Sequence, residues 1–464
     1  MAASTLKSNA SNPSNLNTNP HPFEVFARKS YLWMVGLYIC LVFNEFIKRP
    51  VDFLALALIL FGLPLISLQN AKLLWQTMRS SKANQLVVVS LAMISALFLL
   101  GTSTQIPQLD GFVALGAQYA VHIGLAVVAL LVIPLNQRSL QYFANACMLA
   151  LILLAACDLG YYGLQALNNQ PIGIDFTHRW FGDGHVFLTP FLLARIFGSY
   201  GHLHHQNINR QSPFLMSLMI GLLLIVIILS GGTGARSTYG ILALELLFFI
   251  SIWILRKRSM TLSGEPKRVW VVIGQTIVWV LVLASVLIAL RFLLSVLAPH
   301  LFDGTLNRSL QIADRVQNAW LPGIDLIIQA PWFGHGFGRL AWDSAYTQLQ
   351  LNHPQIQNVE SPHNWFLAAG FFGGIFAVLA QLLFSGAVLW SLYKSFTRSE
   401  LSQQAQLTKY CILGLAVSFF SFYCLRGQVE FAIYKYLCIT LIGFGLIRVL
   451  GCQSGRSYES QNPL

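Results

Sequence analysis

The stretch ESPHNWFLAAGFFGGIFAVLAQLLFSGAVLW, residues 360–390, joins a short polar cluster to a long apolar run. No charged residue occurs between positions 364 and 393. About 20 apolar residues in a helix suffice to cross the roughly 30 Å of bilayer hydrocarbon. The stretch therefore predicts a membrane-spanning helix with an ionisable imidazole, that of His363, at its mouth.

The rest of the chain repeats this apolar pattern. Its 464 residues are 55% hydrophobic and only 10% charged, whereas soluble domains carry roughly 25% charged residues. The predicted fold is an all-α polytopic membrane protein with about twelve transmembrane helices. The predicted windows are 31–48, 51–68, 85–102, 112–134, 141–165, 184–200, 213–231, 237–256, 270–298, 364–393, 408–425 and 430–450.

These windows divide the chain into five parts. Residues 299–363 form by far the longest connection, and such a length is typical of a functional segment or small domain. We expect it to be one large helical periplasmic loop between spans 9 and 10. The parts are a disordered cytoplasmic tail (1–30), spans 1 to 9 (31–298), the loop (299–363), spans 10 to 12 (364–450) and a cytoplasmic tail (451–464).

The charge distribution predicts the sidedness. The net charge is +12, yet no nucleic-acid motif is visible, and Lys and Arg concentrate in alternate connections, as expected for cytoplasmic loops. This pattern places both termini in the cytoplasm and residues 299–363 outside. The seven cysteines are scattered with no CxxC pair, which indicates buried thiols and no metal site. The tract GHLHH (201–205) falls on the predicted cytoplasmic side, so we assign it no metal role.

Several arginines on the predicted outer face depart from the positive-inside trend. A guanidinium at a membrane boundary must reach water or find an anion, and it grips phosphate oxygens in a bidentate fork. The cluster therefore suits a lipid-linked phosphate or diphosphate. The candidate anion ligands are Arg179, Arg236, Arg308, Arg315 and Arg426.

Ordinary ion pairs are the alternative for some of these arginines. Arg179 has Asp175 and Asp183 nearby in sequence, and Arg315 directly follows Asp314. Arg236, in the stretch SGGTGARSTYG, has no local carboxylate partner.

His363 is the candidate base. Pro362 suits the first turn of a helix and Ser361 suits its cap, which predicts that His363 occupies the first turn of the span. A neutral imidazole there can accept a proton from a sugar hydroxyl, with Glu360 or Asn364 orienting it. The alternative is a structural histidine bonded to the loop.

Other features give weaker signals. GHGFG (334–338) lacks the residues of a phosphate-binding loop and is interpreted as a flexible turn, and the glycines of GFFGG (370–374) are interpreted as permitting close packing. Asp158, Glu245 and Glu430 fall in or near spans. Because intramembrane carboxylates are often functional, they keep a proton-coupled transporter open as an alternative.

Four segments together resemble the bacterial O-antigen ligase and polymerase superfamily. LSGGTGARSTYGILALELL (229–247), ADRVQNAWLPGIDLIIQAPWFGHGFGRL (313–340) and SPHNWFLAAGFFGG (361–374) look like its Gly/Ser-Arg, loop-arginine and His-Asn stretches, and HRWFGDGHVFLTPFLLAR (178–195) is a weaker match. Twelve spans with a large loop between the ninth and tenth also fit the ligase pattern. The spacings after Asn364 and Arg315 differ slightly from that pattern, so polymerase stays open beside ligase.

The resemblance implies a metal-independent, inverting glycosyltransferase of the bacterial inner membrane, with no cofactor and its site on the periplasmic side. The donor would be a glycan on undecaprenyl diphosphate, and the acceptor would be lipid A-core for a ligase. It implies that His363 is the base, that Arg236 and Arg315 hold the diphosphate, and that Arg179, Arg308, Asn364 and Arg426 contact substrate. A polymerase, a protein O-oligosaccharyltransferase and a transporter are the alternatives.

Overall fold

The computed structural model describes most of the chain, and the described part is mainly helical. The described residues are 22–44, 48–104, 109–170, 177–200, 213–232, 236–259, 315–398, 403–428 and 434–459. No β-strand occurs among them, which confirms the predicted all-α class. The helices are α1 Pro22–Leu41, α2 Lys48–Gly62, α3 Leu68–Arg79, α4 Lys82–Thr104, α5 Leu109–Leu115, α6 Val121–Val132, α7 Gln137–Leu167, α8 Thr177–Tyr200, α9 Pro213–Gly232, α10 Arg236–Ser259, α11 Leu321–Gln329, α12 Arg339–Asn352, α13 Trp365–Arg398, α14 Gln403–Phe419 and α15 Lys435–Glu459.

Three wider π-helical turns adjoin the helices. Gly116–Ala120 joins α5 to α6, Val316–Trp320 precedes α11, and Phe420–Leu425 follows α14 and runs into the 3-10 turn Arg426–Gln428. Turns of this kind are frequent at functional sites. Two of the three adjoin predicted site residues, Arg315 and Arg426.

Six helices in the described part are long and apolar enough to cross a membrane, or seven if the bent pair α2 and α3 counts as one span. The six are Lys82–Thr104, Leu109–Val132, Gln137–Leu167, Trp365–Thr397, Lys409–Gln428 and Lys435–Cys452. Described helices overlap every predicted window except 270–298, which lies outside the described residues. The membrane class is therefore supported, whereas the count of about twelve and the periplasmic loop stay predictions.

The first two predicted spans differ from the helices that form. Helix α1 begins at Pro22, so residues 22–30 of the predicted tail are helical. The second window, 51–68, ends early because a 3-10 turn containing Pro64 follows α2. The chain then bends by 106° into α3.

Helix α3 is anchored at the bend by polar contacts. The Ser67 hydroxyl accepts a hydrogen bond from the Asn70 amide nitrogen. The Asn70 side chain donates to the carbonyls of Leu131 (3.2 Å) and Ile133 (2.8 Å) at the end of α6. These contacts satisfy the carbonyls that a helix end leaves without partners.

Helix α13 is broken in the middle by two glycines. Gly373 and Gly374 have non-helical backbone angles, with φ +76° at Gly374, a conformation open to glycine and costly for other residues. The Ile375 amide donates to the Pro331 carbonyl (2.8 Å), and the Phe371 carbonyl accepts from the His335 amide (2.6 Å). The loop 330–338 therefore supplies partners to backbone groups at the break.

This junction, residues 330–338 against 371–375, allows no side chain at its contact points. A Cβ on Gly374 would lie 2.5 Å from the Pro331 carbonyl oxygen, and one on Gly334 would lie 2.3 Å from that of Phe371. A Cβ on Gly101 of α4 would lie 2.2 Å from the carbonyl oxygens of Phe333 and Phe372. The predicted role of the glycines in close packing is thus correct. They allow the backbone of the loop 330–338 to approach α13, in addition to the neighbouring helix α4.

Aromatic side chains fill the space beside the junction. Phe337 of the GHGFG turn packs on Phe372 (ring centroids 4.4 Å apart) and Phe98 (5.5 Å). Tyr119 packs edge-on against Phe98 and Tyr434. The prediction that GHGFG is a flexible turn is therefore wrong, because the turn is packed into the core.

Replacing Gly374 by Ala should destabilise the protein markedly. The new methyl would meet the Pro331 carbonyl and force φ +76° on a residue that tolerates it poorly, at a cost of about 1–3 kcal/mol or more. Gly386→Ala in the same helix is the matched control, because a Cβ there meets nothing within 4 Å. We expect a lowered melting temperature in detergent for Gly374→Ala alone. Equal melting temperatures for both variants would contradict the proposed packing.

Candidate functional site

His363 lies immediately before helix α13 and not in its first turn. Its φ is +46°, and the helix begins at Trp365. Asn364 is the cap, because its Oδ1 accepts from the amides of Phe366 (3.0 Å) and Leu367 (3.1 Å). The predicted first-turn position of His363 is therefore wrong by two residues. The reason is that Asn364, and not Ser361, satisfies the free amides of the helix.

The residues around His363 have defined partners. The Ser361 hydroxyl accepts from the His363 amide nitrogen at 3.4 Å. Glu360 forms an exposed ion pair with Arg339 at 3.3 Å. The Asn364 Nδ2 donates to the Gln428 Oε1 at 2.9 Å, so the Asn364 side chain connects α13 to the turn that follows α14.

Arg426, two residues before Gln428, is the most buried charged group near the site. Its Nε donates to Asp183 Oδ1 at 2.7 Å, and its side chain is 2% exposed. Its NH1 donates to the hydroxyl of Ser237. A buried charge needs such a partner, since an unpaired one is strongly destabilising. One guanidinium thereby joins α8, α10 and the 3-10 turn.

These contacts bring three sequence-distant candidates to one region. Arg236 is the first residue of α10 and precedes Ser237, which binds Arg426. Arg179 lies four residues, about one helical turn, before Asp183 in α8. For Arg179 and Arg236 the structure describes the backbone alone. His363 adjoins Asn364, which binds the same 3-10 turn.

Arg315 begins the helical segment that ends with α11. A hydrogen-bonded strap holds this segment to the chain before His363: the Gln357 amide donates to Asn318 Oδ1 (2.9 Å), and the Tyr346 hydroxyl contacts the carbonyls of Asn318 and Gln357. Burial raises the pKa of Tyr346 to about 12, so the phenol stays a donor at neutral pH. Further along, a Cβ on Gly323 would lie 3.4 Å from Pro362 Cβ, which places α11 against the His363 turn.

The remaining predictions fall elsewhere. Arg308 and Glu430 lie outside the described residues, as does the tract GHLHH. No group of three or more His, Cys, Asp or Glu residues in the described part could hold a metal ion. Sequence reasoning missed Asp183 as the partner of Arg426, although it named Asp183 as a partner for Arg179. It also missed Ser237 and Gln428, for which the sequence carries no distinctive signal.

Asp158 and Glu245, two of the carboxylates expected in spans, are buried. Asp158 Oδ2 and His185 Nε2 are 2.9 Å apart, joining α7 to α8, and both side chains are almost fully buried. Glu245 of α10 is buried as well. At the start of α15, Lys435 contacts Asp52, whose carboxylate also lies 3.2 Å from His122.

Residues 214–382 match the family model described as O-antigen ligase. This segment contains Arg236, Arg315 and His363, and it confirms the resemblance to the O-antigen ligase and polymerase superfamily. No curated protein gives a significant match to the chain.

Replacing Arg426 by Gln should destabilise the fold by about 3–5 kcal/mol, because it leaves the Asp183 carboxylate buried without its partner. The double variant Arg426→Gln/Asp183→Asn should lose less than the sum of its single variants, since the two groups are coupled. Chemical denaturation in detergent measures both. Arg339→Gln is the control, because its ion pairs are exposed and exposed pairs contribute little. Strict additivity of the two single changes would contradict the pair.

Proposed function

We propose that this protein is an O-antigen ligase. It would move a glycan from undecaprenyl diphosphate to lipid A-core on the periplasmic face of the bacterial inner membrane, as an inverting and metal-independent glycosyltransferase. The family match supports a membrane-embedded, glycosyltransferase-like enzyme that ligates or polymerises O-antigen. The observation that supports the finer proposal is the convergence of Asn364, Asp183 and Ser237, which lie close in sequence to His363, Arg179 and Arg236, on the turn Arg426–Gln428.

His363 is the proposed general base. Its Nδ1 or Nε2 takes the proton of an acceptor hydroxyl while the hydroxyl oxygen bonds to the anomeric carbon of the donor sugar. The bond from that carbon to the diphosphate oxygen breaks in the same step, and its electron pair leaves with undecaprenyl diphosphate. Attack from the face opposite the leaving group inverts the anomeric configuration. The proton on His363 then passes to solvent.

Arg236 and Arg315 are proposed to bind the diphosphate. Negative charge grows on the leaving diphosphate as the glycosidic bond breaks, and a positioned guanidinium stabilises it most at that point. Arg236 sits at the start of α10, next to the residue that Arg426 binds. Arg315 lies on the segment whose Asn318 side chain accepts a hydrogen bond from the Gln357 amide. Arg179 and Arg308 are proposed as further substrate contacts.

For Arg426 and Asn364 we propose a mainly structural role, whereas the sequence analysis expected substrate contact. The Arg426 guanidinium already binds Asp183 and Ser237, and the Asn364 amide caps α13 and binds Gln428. We therefore assign both residues primarily to holding the arginine and histidine positions, with substrate contact as a secondary role.

A polymerase that joins lipid-linked repeats is the second candidate, because the matched superfamily contains both activities. It would use the same base and arginines, so loss of activity on substitution of these residues does not distinguish a ligase from a polymerase. The acceptor differs, and only the products separate them.

His363→Ala should strongly reduce glycan transfer in a strain that lacks the native gene and carries the variant. His353→Ala is the matched control, because His353 is an exposed histidine at the end of α12 and should leave activity unchanged. The measurements are a lipopolysaccharide gel and mass spectrometry of lipid-linked glycans. Loss of general base catalysis predicts a rate reduction of about 10²-fold or more.

The products decide between the candidates. Long glycans that accumulate on undecaprenyl diphosphate in the His363→Ala strain indicate a ligase, whereas single repeats attached to lipid A-core indicate a polymerase. Normal lipopolysaccharide in that strain would overturn the proposal. If activity were instead lost in Asp158→Asn and Glu245→Gln, the transporter would be the better interpretation.

A further inference from the structure

Helix α11, Leu321–Gln329, presents three distinct faces. Pro322, Gly323, Leu326 and Ile327 are buried against the protein. On the opposite face, Leu321, Ile324 and Ile328 are 52%, 41% and 67% exposed. These three recur at the i, i+3, i+7 spacing of one helical stripe.

The third face of α11 is polar. Asp325 and Gln329 are exposed, and at about 100° per residue they lie between the apolar stripe and the buried face. A helix with an apolar stripe next to a polar stripe is suited to a boundary between hydrocarbon and water. In water alone, three large exposed apolar side chains on nine residues would be unfavourable.

A second exposed apolar surface begins shortly after α11 and lies on α13. Trp332, directly after α11, is 61% exposed and stacks on Phe376 with ring centroids 5.8 Å apart. Beyond Phe376, Leu379 and Leu383 are 55% and 42% exposed on the same candidate span. Exposed leucines on a membrane-spanning helix face lipid, so the stripe of α11 adjoins a lipid-facing surface.

The length of α13 gives the depth of this surface. From Ile375 to Lys394 the helix has about 20 residues, which at 1.5 Å per residue cover roughly 30 Å of hydrocarbon. At the far end, Trp390 and Tyr393 are exposed and Lys394 lies over the Trp390 ring, as expected for an interfacial belt. Trp332 on Phe376 then marks the opposite boundary of the bilayer.

We propose that α11 lies in the interfacial layer of the bilayer, with Leu321, Ile324 and Ile328 in the acyl chains of the leaflet on the His363 side. The occupant of this surface is membrane lipid. Part of the segment expected to be a periplasmic loop is thus an interfacial helix.

The placement bears on substrate access. Gly323 of α11 packs against Pro362, so a helix fixed at the membrane surface also fixes the height of His363. A substrate whose sugar is carried on a lipid would reach that level without leaving the bilayer. The proposal concerns the position of α11 only and holds whether or not the protein transfers glycans.

Site-directed spin labelling in proteoliposomes tests the placement. Single cysteines replace Ile324, Ile328 or Gln329 on α11 and carry a nitroxide, with Leu383→Cys as the lipid-facing reference and the exposed Leu351→Cys of α12 as the water-facing one. Collision rates with oxygen, which concentrates in lipid, and with a water-soluble nickel complex are compared. Labelling of the parent protein without added cysteine is subtracted.

We expect Ile324→Cys and Ile328→Cys to resemble Leu383→Cys, with oxygen collisions dominating, and Gln329→Cys to resemble Leu351→Cys. If all three α11 positions favour the nickel complex, the helix lies in water and the proposal is overturned. If all three favour oxygen, the helix is immersed, which also overturns an interfacial position. Because each label reports independently, one variant that fails to reconstitute leaves the test intact.

Discussion

A backbone-to-backbone contact at Gly373 and Gly374 governs the geometry around His363. The break in α13 exposes amide and carbonyl groups that cannot stay without partners in a low-dielectric environment. The loop 330–338 supplies them through Pro331 and His335. Since the loop can approach only where no side chain intervenes, Gly101, Gly334 and Gly374 are required together. The break makes the first piece of α13 a short helix whose start carries Asn364 and His363.

Buried charge sets the second constraint. Arg426 is held by Asp183 and Ser237, so the second turn of α8 and the start of α10 have a fixed relation to the turn after α14. Gln428, two residues after Arg426, accepts a hydrogen bond from Asn364, the cap of α13. Hydrogen bonds of this kind tolerate little displacement. Residues of α8, α10 and α13 thereby meet at the turn after α14, and this arrangement is suited to holding a lipid-linked anion beside a base.

Membrane depth connects the fold to the proposed chemistry. If Trp332 and Phe376 mark the bilayer boundary, the first piece of α13 and the His363 turn lie at the level of lipid headgroups. Both the donor and the acceptor of an O-antigen ligase are anchored in lipid and would present their sugars at that level. An imidazole at the mouth of a span is then placed where such sugars meet.

Sequence alone determined the class of the protein and the identity of several candidates. Apolar runs predicted helices at the windows that the structure describes, because hydrocarbon allows a single chain segment few other conformations. The motifs around Arg236, Arg315 and His363 indicated the superfamily. The tertiary structure decided what spacing could not: that Asp183 pairs with Arg426, that Asn364 caps α13 in place of Ser361, and that GHGFG is a packed junction. The Arg426 pair and the packed junction depend on contacts between residues as many as 243 positions apart, and a local pattern carries no information about which distant partner satisfies a buried polar group.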